Sequence, residues 1–429
     1  MFQRMPRRCG PQNLIATAAA IAAIAVMFRA EGAAQQPGSS TYVEHTRVGI
    51  LDGNPLERLG ISAGELRAPT VNPTIRYAGI TRFLNKTRAV VTGTLDDSTE
   101  HVPKAIDALD KYGIKATIAV STLREPISRL WPRLRQAVDG GHEIGSHSRR
   151  HQCQWPDTES FCREAYSQDE IAGSRDDILA HTEQPYVWTW VYPCGHCADY
   201  EFIHLRLNRA GYLVARNYPD ERRGGILVPD LQTWALDPYN AAFTQVAQKK
   251  GGVAPAGRTD VADLNAKFDE VYKGESRSPS RSLNRTAEGG IYHFMSHPQW
   301  LDYGADKFFE QHLSYLGGRS DVWYVPIGPL YGYQIVREST VVSPIGSKEG
   351  WERFAVYNRL DPAIYNNSIT LEFLVPAARK VEIRSGGKPV VERAGELTDR
   401  WNQEYFRREG DSILLTIRSN TILELRSPE

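Results

Sequence analysis

The chain has 429 residues, with 51 Lys+Arg against 51 Asp+Glu, 41% hydrophobic and 10% aromatic residues. At about 100 to 200 residues per domain this implies two or three folded units. The even charge argues against nucleic acid as a partner, and 25 Pro with 35 Gly argue against coiled coil or disorder.

Arg4, Arg7 and Arg8 precede an apolar stretch from Leu14 to Phe28, and small residues follow as far as Ala34. A charged start, a short apolar run and a small-residue exit form a secretory signal, expected to be cleaved after residue 34. An uncleaved anchor is the competing reading, because the run is only slightly shorter than the ~20 residues that span a bilayer. The expected location is secreted or periplasmic, with no stable membrane insertion after cleavage. Residues 1–34 hold four Arg and one Glu, so their loss leaves a net charge of −3.

After a lead-in over residues 35–87, Arg88 to Leu95 reads as a buried strand ending in Asp96-Asp97. A helix from Val102 to Tyr112 and a strand from Lys115 to Val120 complete a β-α-β unit. The rhythm continues with a helix at Ile127 to Val138, a strand at His142 to Gly145, a helix at Gln168 to Thr182 and a strand at Tyr186 to Tyr192. Next come a helix at Phe202 to Ala210 and strands at Tyr212 to Ala215 and Ile291 to Met295. A helix at Lys307 to Leu316 and a strand at Val322 to Val325 follow. Alternation on this scale predicts an α/β fold, a parallel (β/α)7-8 barrel over residues 88–341. The polar stretch at 249–288 reads as an insertion. From 342 to 429, short strands at Phe354 to Asn358, Ser368 to Leu374, Lys380 to Arg384, Pro389 to Arg393 and Ser412 to Leu425 predict a small antiparallel β domain.

Active sites of such barrels lie at the carboxyl ends of the strands. Asp96 and Asp97 fall there, although two carboxylates can equally make a solvated turn or a helix cap. His147-Ser-Arg-Arg-His151 follows a later strand. Two His at this spacing can face one ion, and a carboxylate would complete a set of two His and one Asp with open positions.

These segments resemble the motifs of the NodB-homology polysaccharide deacetylases, carbohydrate esterase family four, over about Arg88 to Arg337. Thr94-Leu-Asp-Asp97 is similar to the first motif, which implies Asp96 as catalytic base and Asp97 as metal ligand. His147 and His151 fit the second as the metal histidines. Val191-Tyr-Pro-Cys-Gly195 resembles the third, with Val191 where an Arg often braces the base. The resemblance implies the Cys194 amide as an oxyanion donor and puts Tyr192 at the substrate-binding turn. Asp230-Leu-Gln-Thr-Trp234 is similar to the fourth, with Asp230 tuning the catalytic His and Trp234 lining the acetyl pocket; Asp237 competes for the Asp role. Met295-Ser-His297 resembles the fifth, with His297 as general acid, whereas His293 reads as a packed residue. The fold implied is a distorted barrel of this type, and the cofactor a divalent metal, with zinc expected.

Cys153, Cys162, Cys194 and Cys197 remain after signal loss, and an even number in an exported chain reads as disulfides. Pairs 153–162 and 194–197, a crossed pairing, and a four-ligand zinc site all stay open. Five Trp, at positions 155, 188, 190, 234 and 300, lie near the motifs and could stack on sugar rings, although 188 and 190 sit in an apolar strand.

The expected activity is metal-dependent removal of N-acetyl groups from an N-acetylglucosamine-containing polysaccharide or oligosaccharide. The alternatives are an O-acetyl esterase, a metal-free cyclic amide hydrolase, a non-catalytic glycan-binding member, and a thiol oxidoreductase built on Cys194-Gly-His-Cys197.

Overall fold

A computed structural model describes residues 49–67, 75–154, 156–198, 200–216, 241–245, 261–274, 289–393 and 403–428. The signal at residues 1–34, Trp155, Asp230, Trp234 and Asp237 lie outside the described residues. The described residues belong to one compact unit. Among them, no helix is long and apolar enough to cross a membrane.

The centre of the fold is β2 (Ala89–Asp96), buried at every position. It pairs in parallel with β3 (Thr117–Val120) and β8 (Ile291–Ser296), and its first half also with β9 (Val322–Tyr324). The sheet extends through β4 (Glu143–Ser146), β5 (Thr189–Val191) and β6 (Val214–Arg216) on one side and β7 (Ala241–Gln245) on the other, in the order β6-β5-β4-β3-β2-β8-β7. The expected parallel α/β architecture is present as a curled sheet. Among the described residues, the end strands β6 and β7 do not pair with each other.

Helices cover the outer face. Val102, Ala105, Ile106 and Leu109 of α1 (Val102–Lys111) are buried at helical spacing and join Val91 and Leu95 of β2 in one apolar cluster. The helices α2 (Ile127–Asp139), α3 (Glu159–Ala165), α4 (Gln168–Thr182), α5 (Glu201–Arg209), α6 (Val261–Tyr272) and α7 (Phe308–Leu316) contribute to the same cluster. Of these, α6 falls within the stretch 249–288 read as an insertion. Its Leu264, Phe268 and Val271 are buried, and it forms the crossover between β7 and β8. Polar neighbours hide three apolar residues spaced four and three apart.

The β-rich tail packs on the barrel at the strand starts. Val90, Trp188, Val214 and Ile291 share a second apolar cluster with α8 (Ile327–Ser339) and the tail strands. Backbone amides at the start of α8 are taken by the barrel: Ile327 donates to Thr117 Oγ1 at 3.1 Å and Gly328 to Glu143 Oε2 at 2.9 Å. A Cβ on Gly328 would meet the Glu143 carboxylate at 2.3 Å, so glycine permits this close approach.

The tail itself is two antiparallel sheets. One has β10 (Val341–Lys348), β11 (Trp351–Tyr357), β17 (Thr421–Arg426), β13 (Glu382–Ser385) and β14 (Lys388–Pro389). The other has β12 (Ser368–Leu374), β16 (Ser412–Arg418), β15 (Tyr405–Glu409) and, from the lead-in, β1 (Arg76–Ile80). The apolar run from Ser412 to Leu425 is thus two strands in different sheets. They part at Asn420, whose left-handed φ of 61° Asn tolerates. The lead-in is also bound to this region at Asn85, whose side chain donates to Tyr405 Oη at 2.5 Å and accepts from Thr416 Oγ1 at 3.0 Å.

Candidate active site

Polar side chains gather at the opposite end, where the strands finish. Asp96 is the last residue of β2, and Asp97 turns the chain in the left-handed region at φ 81°. Ser98 steadies this turn against the next strand end, accepting from Ser121 N at 2.9 Å.

His147 follows β4 and is buried. Its Nδ1 lies 2.9 Å from the carbonyl oxygen of Val191. A carbonyl only accepts, so Nδ1 carries the proton and Nε2 keeps a free lone pair. His151 adopts a left-handed φ of 53°, and its amide donates to Ser148 Oγ at 2.9 Å. The loop between them is clamped by α4: the amides of Arg149 and Arg150 each donate to Glu170 Oε2 at 2.9 Å. The Arg149 guanidinium also forks onto Asp177, from Nε at 2.9 Å and Nη2 at 3.0 Å.

The two imidazoles converge on one carboxylate oxygen. Asp97 Oδ1 lies 3.2 Å from His151 Nε2 and 3.9 Å from His147 Nε2. The other oxygen accepts from Gln299 Nε2 at 2.9 Å. Burial works against ionisation of Asp97, but His147, His151, His297 and the Gln299 hydrogen bond outweigh it and hold the carboxyl below its usual range. Burial, helped by His147, pushes His151 down to about 4, so it is neutral near pH 7.

These residues fit a divalent ion. Donor atoms of Asp97, His147 and His151 lie within 4.8 Å of one another. Among the described residues Asp97 Oδ1 is buried with no hydrogen-bond donor of its own, and two imidazoles beside one carboxylate form a familiar donor set for zinc and similar ions.

His297 follows β8. Its ring lies against Trp300, tilted by 36°, at 3.6 Å between centroids. Burial lowers its pKa, although Asp96 and Asp97 pull the other way. Asp96 itself is buried and accepts, through Oδ2, a hydrogen bond from the fully buried Arg216 at the end of β6. The sequence reading passed over Arg216. An Arg closing a short buried strand was the available signal, but its partner depends on tertiary structure.

Asp96, Asp97, His147, His151 and His297 are therefore brought together. Cys194 sits in the turn after β5 with a left-handed φ of 55°, while the following amides of Gly195 and His196 are used within the turn. The Tyr192 side chain is 1% exposed and packs against Tyr166 and Trp190. Aromatic bulk on the outer face of β5 is claimed by the helices. His293 is buried, as read, near Thr94 at 3.3 Å. Trp188 and Trp190 are core residues as well.

The disulfides take the crossed form, Cys153–Cys194 and Cys162–Cys197. Strands β4 and β5 are neighbours, paired at Ser146 and Trp190, so the segments after them lie side by side. Long-range partners are then close. Neither half of Cys194-Gly-His-Cys197 bonds to the other, which disfavours the thiol oxidoreductase reading and leaves no four-cysteine zinc site.

Residues 84–214 match the model of the polysaccharide deacetylase family. Similar solved structures include a Mycobacterium smegmatis protein assigned as a polysaccharide deacetylase, 14% identical over 62% of this chain and 96% of that one, TM-score 0.41. A family 4 acetyl xylan esterase from Clostridium thermocellum is 17% identical over 56% of this chain and 90% of that one, TM-score 0.31. The catalytic domain of a peptidoglycan N-acetylglucosamine deacetylase from Eubacterium rectale is 14% identical over 58% and 85%, TM-score 0.31. No curated protein matches the sequence.

Proposed function

We propose that the protein is an exported, metal-dependent hydrolase that removes acetyl groups from an acetylated glycan, with N-acetylglucosamine-containing chains as substrate. The carrying observation is the convergence of Asp97, His147 and His151 beside a buried Asp96 and His297. Two disulfides suit an oxidising compartment.

Asp97, His147 and His151 would hold the ion, which when bound supplies Lewis acidity to the acetyl carbonyl and to water. Asp96 takes the proton from the attacking water through Oδ1, the oxygen that accepts no hydrogen bond among the described residues. The amide of Cys194, in the turn beside His147, would donate to the developing oxyanion. His297 returns a proton to the leaving nitrogen. Amide cleavage depends strongly on that proton, because an amine anion leaves poorly. The role of Asp230 in tuning His297 and of Trp234 in lining the acetyl pocket belongs to this proposal and lies outside the described residues.

Acetate release from N-acetylated and O-acetylated oligosaccharides, measured with added zinc and with chelator, tests this reading. Metal-dependent release that disappears in Asp97→Ala and His147→Ala is expected. Full release by those variants, or none by a zinc-loaded wild-type chain across both substrate types, would refute it.

A further inference from the structure

We propose that Arg216 is the positioning residue for the candidate base Asp96, acting from β6 in place of an arginine at position 191. Three observations carry this. First, Arg216 is fully buried and ion-paired to Asp96 Oδ2, and Asp96 is 2% exposed. A buried carboxylate requires a charged or hydrogen-bonding partner, and the planar guanidinium provides a directional, permanently charged one. Second, only one oxygen of Asp96 is tied down. Among the described residues, Oδ1 is buried and accepts no hydrogen bond, so the contact fixes the carboxylate while leaving a lone pair for a proton.

Third, the strand register explains why the arginine can change strands. Strands β5 and β6 pair in parallel as Thr189 with Val214, Trp190 with Ala215 and Val191 with Arg216. Paired side chains in a parallel ladder leave the sheet on the same face. Trp190 and Ala215 lie in the outer, helix-facing cluster, which turns Val191 and Arg216 to the inner face. Neighbouring strands are about 4.8 Å apart, a step an arginine side chain spans. Val191 and Arg216 are therefore neighbours on that face. Position 191 keeps a separate duty through its carbonyl, which orients His147.

The activity arm of the test rests on the proposed deacetylase reading, but a structural arm does not. Arg216→Met, Arg216→Lys and the double variant V191R/R216M are compared with wild type for zinc stoichiometry, acetate release and crystal structure. Arg216→Met is expected to bind zinc normally and keep KM, with kcat down by about 100-fold or more, and to show the Asp96 carboxylate displaced. V191R/R216M should reseat Asp96 and recover at least about tenfold of that loss, which a role confined to packing would not produce. Asp96 unmoved in Arg216→Met, or reseated in the double variant without recovery of kcat, overturns the proposal. If wild type releases no acetate, the deacetylase reading fails and the position of Asp96 alone decides this one. If Arg216→Met does not fold, the double variant and Arg216→Lys decide it by the same criteria.

Discussion

Gln299 donates from Nε2 to Oδ2 of Asp97 at 2.9 Å, and this contact turns the opposite oxygen toward His151 Nε2, 3.2 Å away. Thr99 Oγ1 in turn approaches Gln299 Oε1 at 3.4 Å, which fixes the amide so that its NH2 faces the carboxylate. Second partners of this kind orient ligands that would otherwise rotate. Replacing Gln299 by Leu should leave the fold intact and weaken zinc binding by about 10- to 100-fold. Competition against a chelator checks this without reference to activity.

Glu170 anchors the loop that presents both histidines. Its carboxylate takes the Arg149 and Arg150 amides, each at 2.9 Å, from a position 1% exposed. Glu170→Ala would strand two amides and free a loop that holds left-handed residues at Ser148 and His151. Urea denaturation should show a loss of about 1–3 kcal/mol, accompanied by weaker zinc binding.

The two disulfides differ in what they brace. Cys153–Cys194 closes 41 residues and touches the site, with Cys153 Sγ 3.6 Å from His151 Nδ1, whereas Cys162–Cys197 closes 35 residues and is buried. Removing either pair with Ser should cost about 2–4 kcal/mol. Zinc affinity should fall more for the first pair than for the second. Non-reduced peptide mapping should recover 153–194 and 162–197 linkages, and local 153–162 or 194–197 peptides would contradict the structure.

Stability should depend on pH through buried neutral histidines. Burial pushes His312, wedged between Tyr292 and Asn265, down to about 3, and burial with help from His147 brings His151 to about 4. The unfolded chain takes these protons near 6.5, so below that pH it binds more protons than the folded one. The stabilisation is complete above pH 6.5 and is lost as the pH falls toward these lower values, by about 1.4 kcal/mol per pH unit for each group. Denaturation with chelator present, at several pH values from 7 to 4, should show the midpoint falling, and His312→Phe should flatten that slope.

Much of the architecture could be read from local patterns. Apart from β7, the strands from Arg88 to Val325 are visible because a buried parallel strand is a short apolar run, and α1, α2, α4, α5 and α7 because their apolar residues recur at helical spacing. The helix α6 escaped because Leu264, Phe268 and Val271 are diluted by charged neighbours. Strand β1 escaped because Tyr77 gains its burial from Phe373, nearly three hundred residues away, at 5.5 Å between ring centroids.

Local sequence thus determined which residues could carry chemistry, since Asp96, Asp97, His147, His151 and His297 each end or follow a strand and need only that strand to end at the barrel mouth. Tertiary structure decided how they are held: Arg216 opposite Val191, Gln299 on Asp97, Tyr192 in the core, and cysteines bonded across two loops. The reason is that a motif is a window of a few residues, while a salt bridge or a disulfide depends on strand order and register. Those are set by how the whole sheet buries its apolar faces, and no short window contains them.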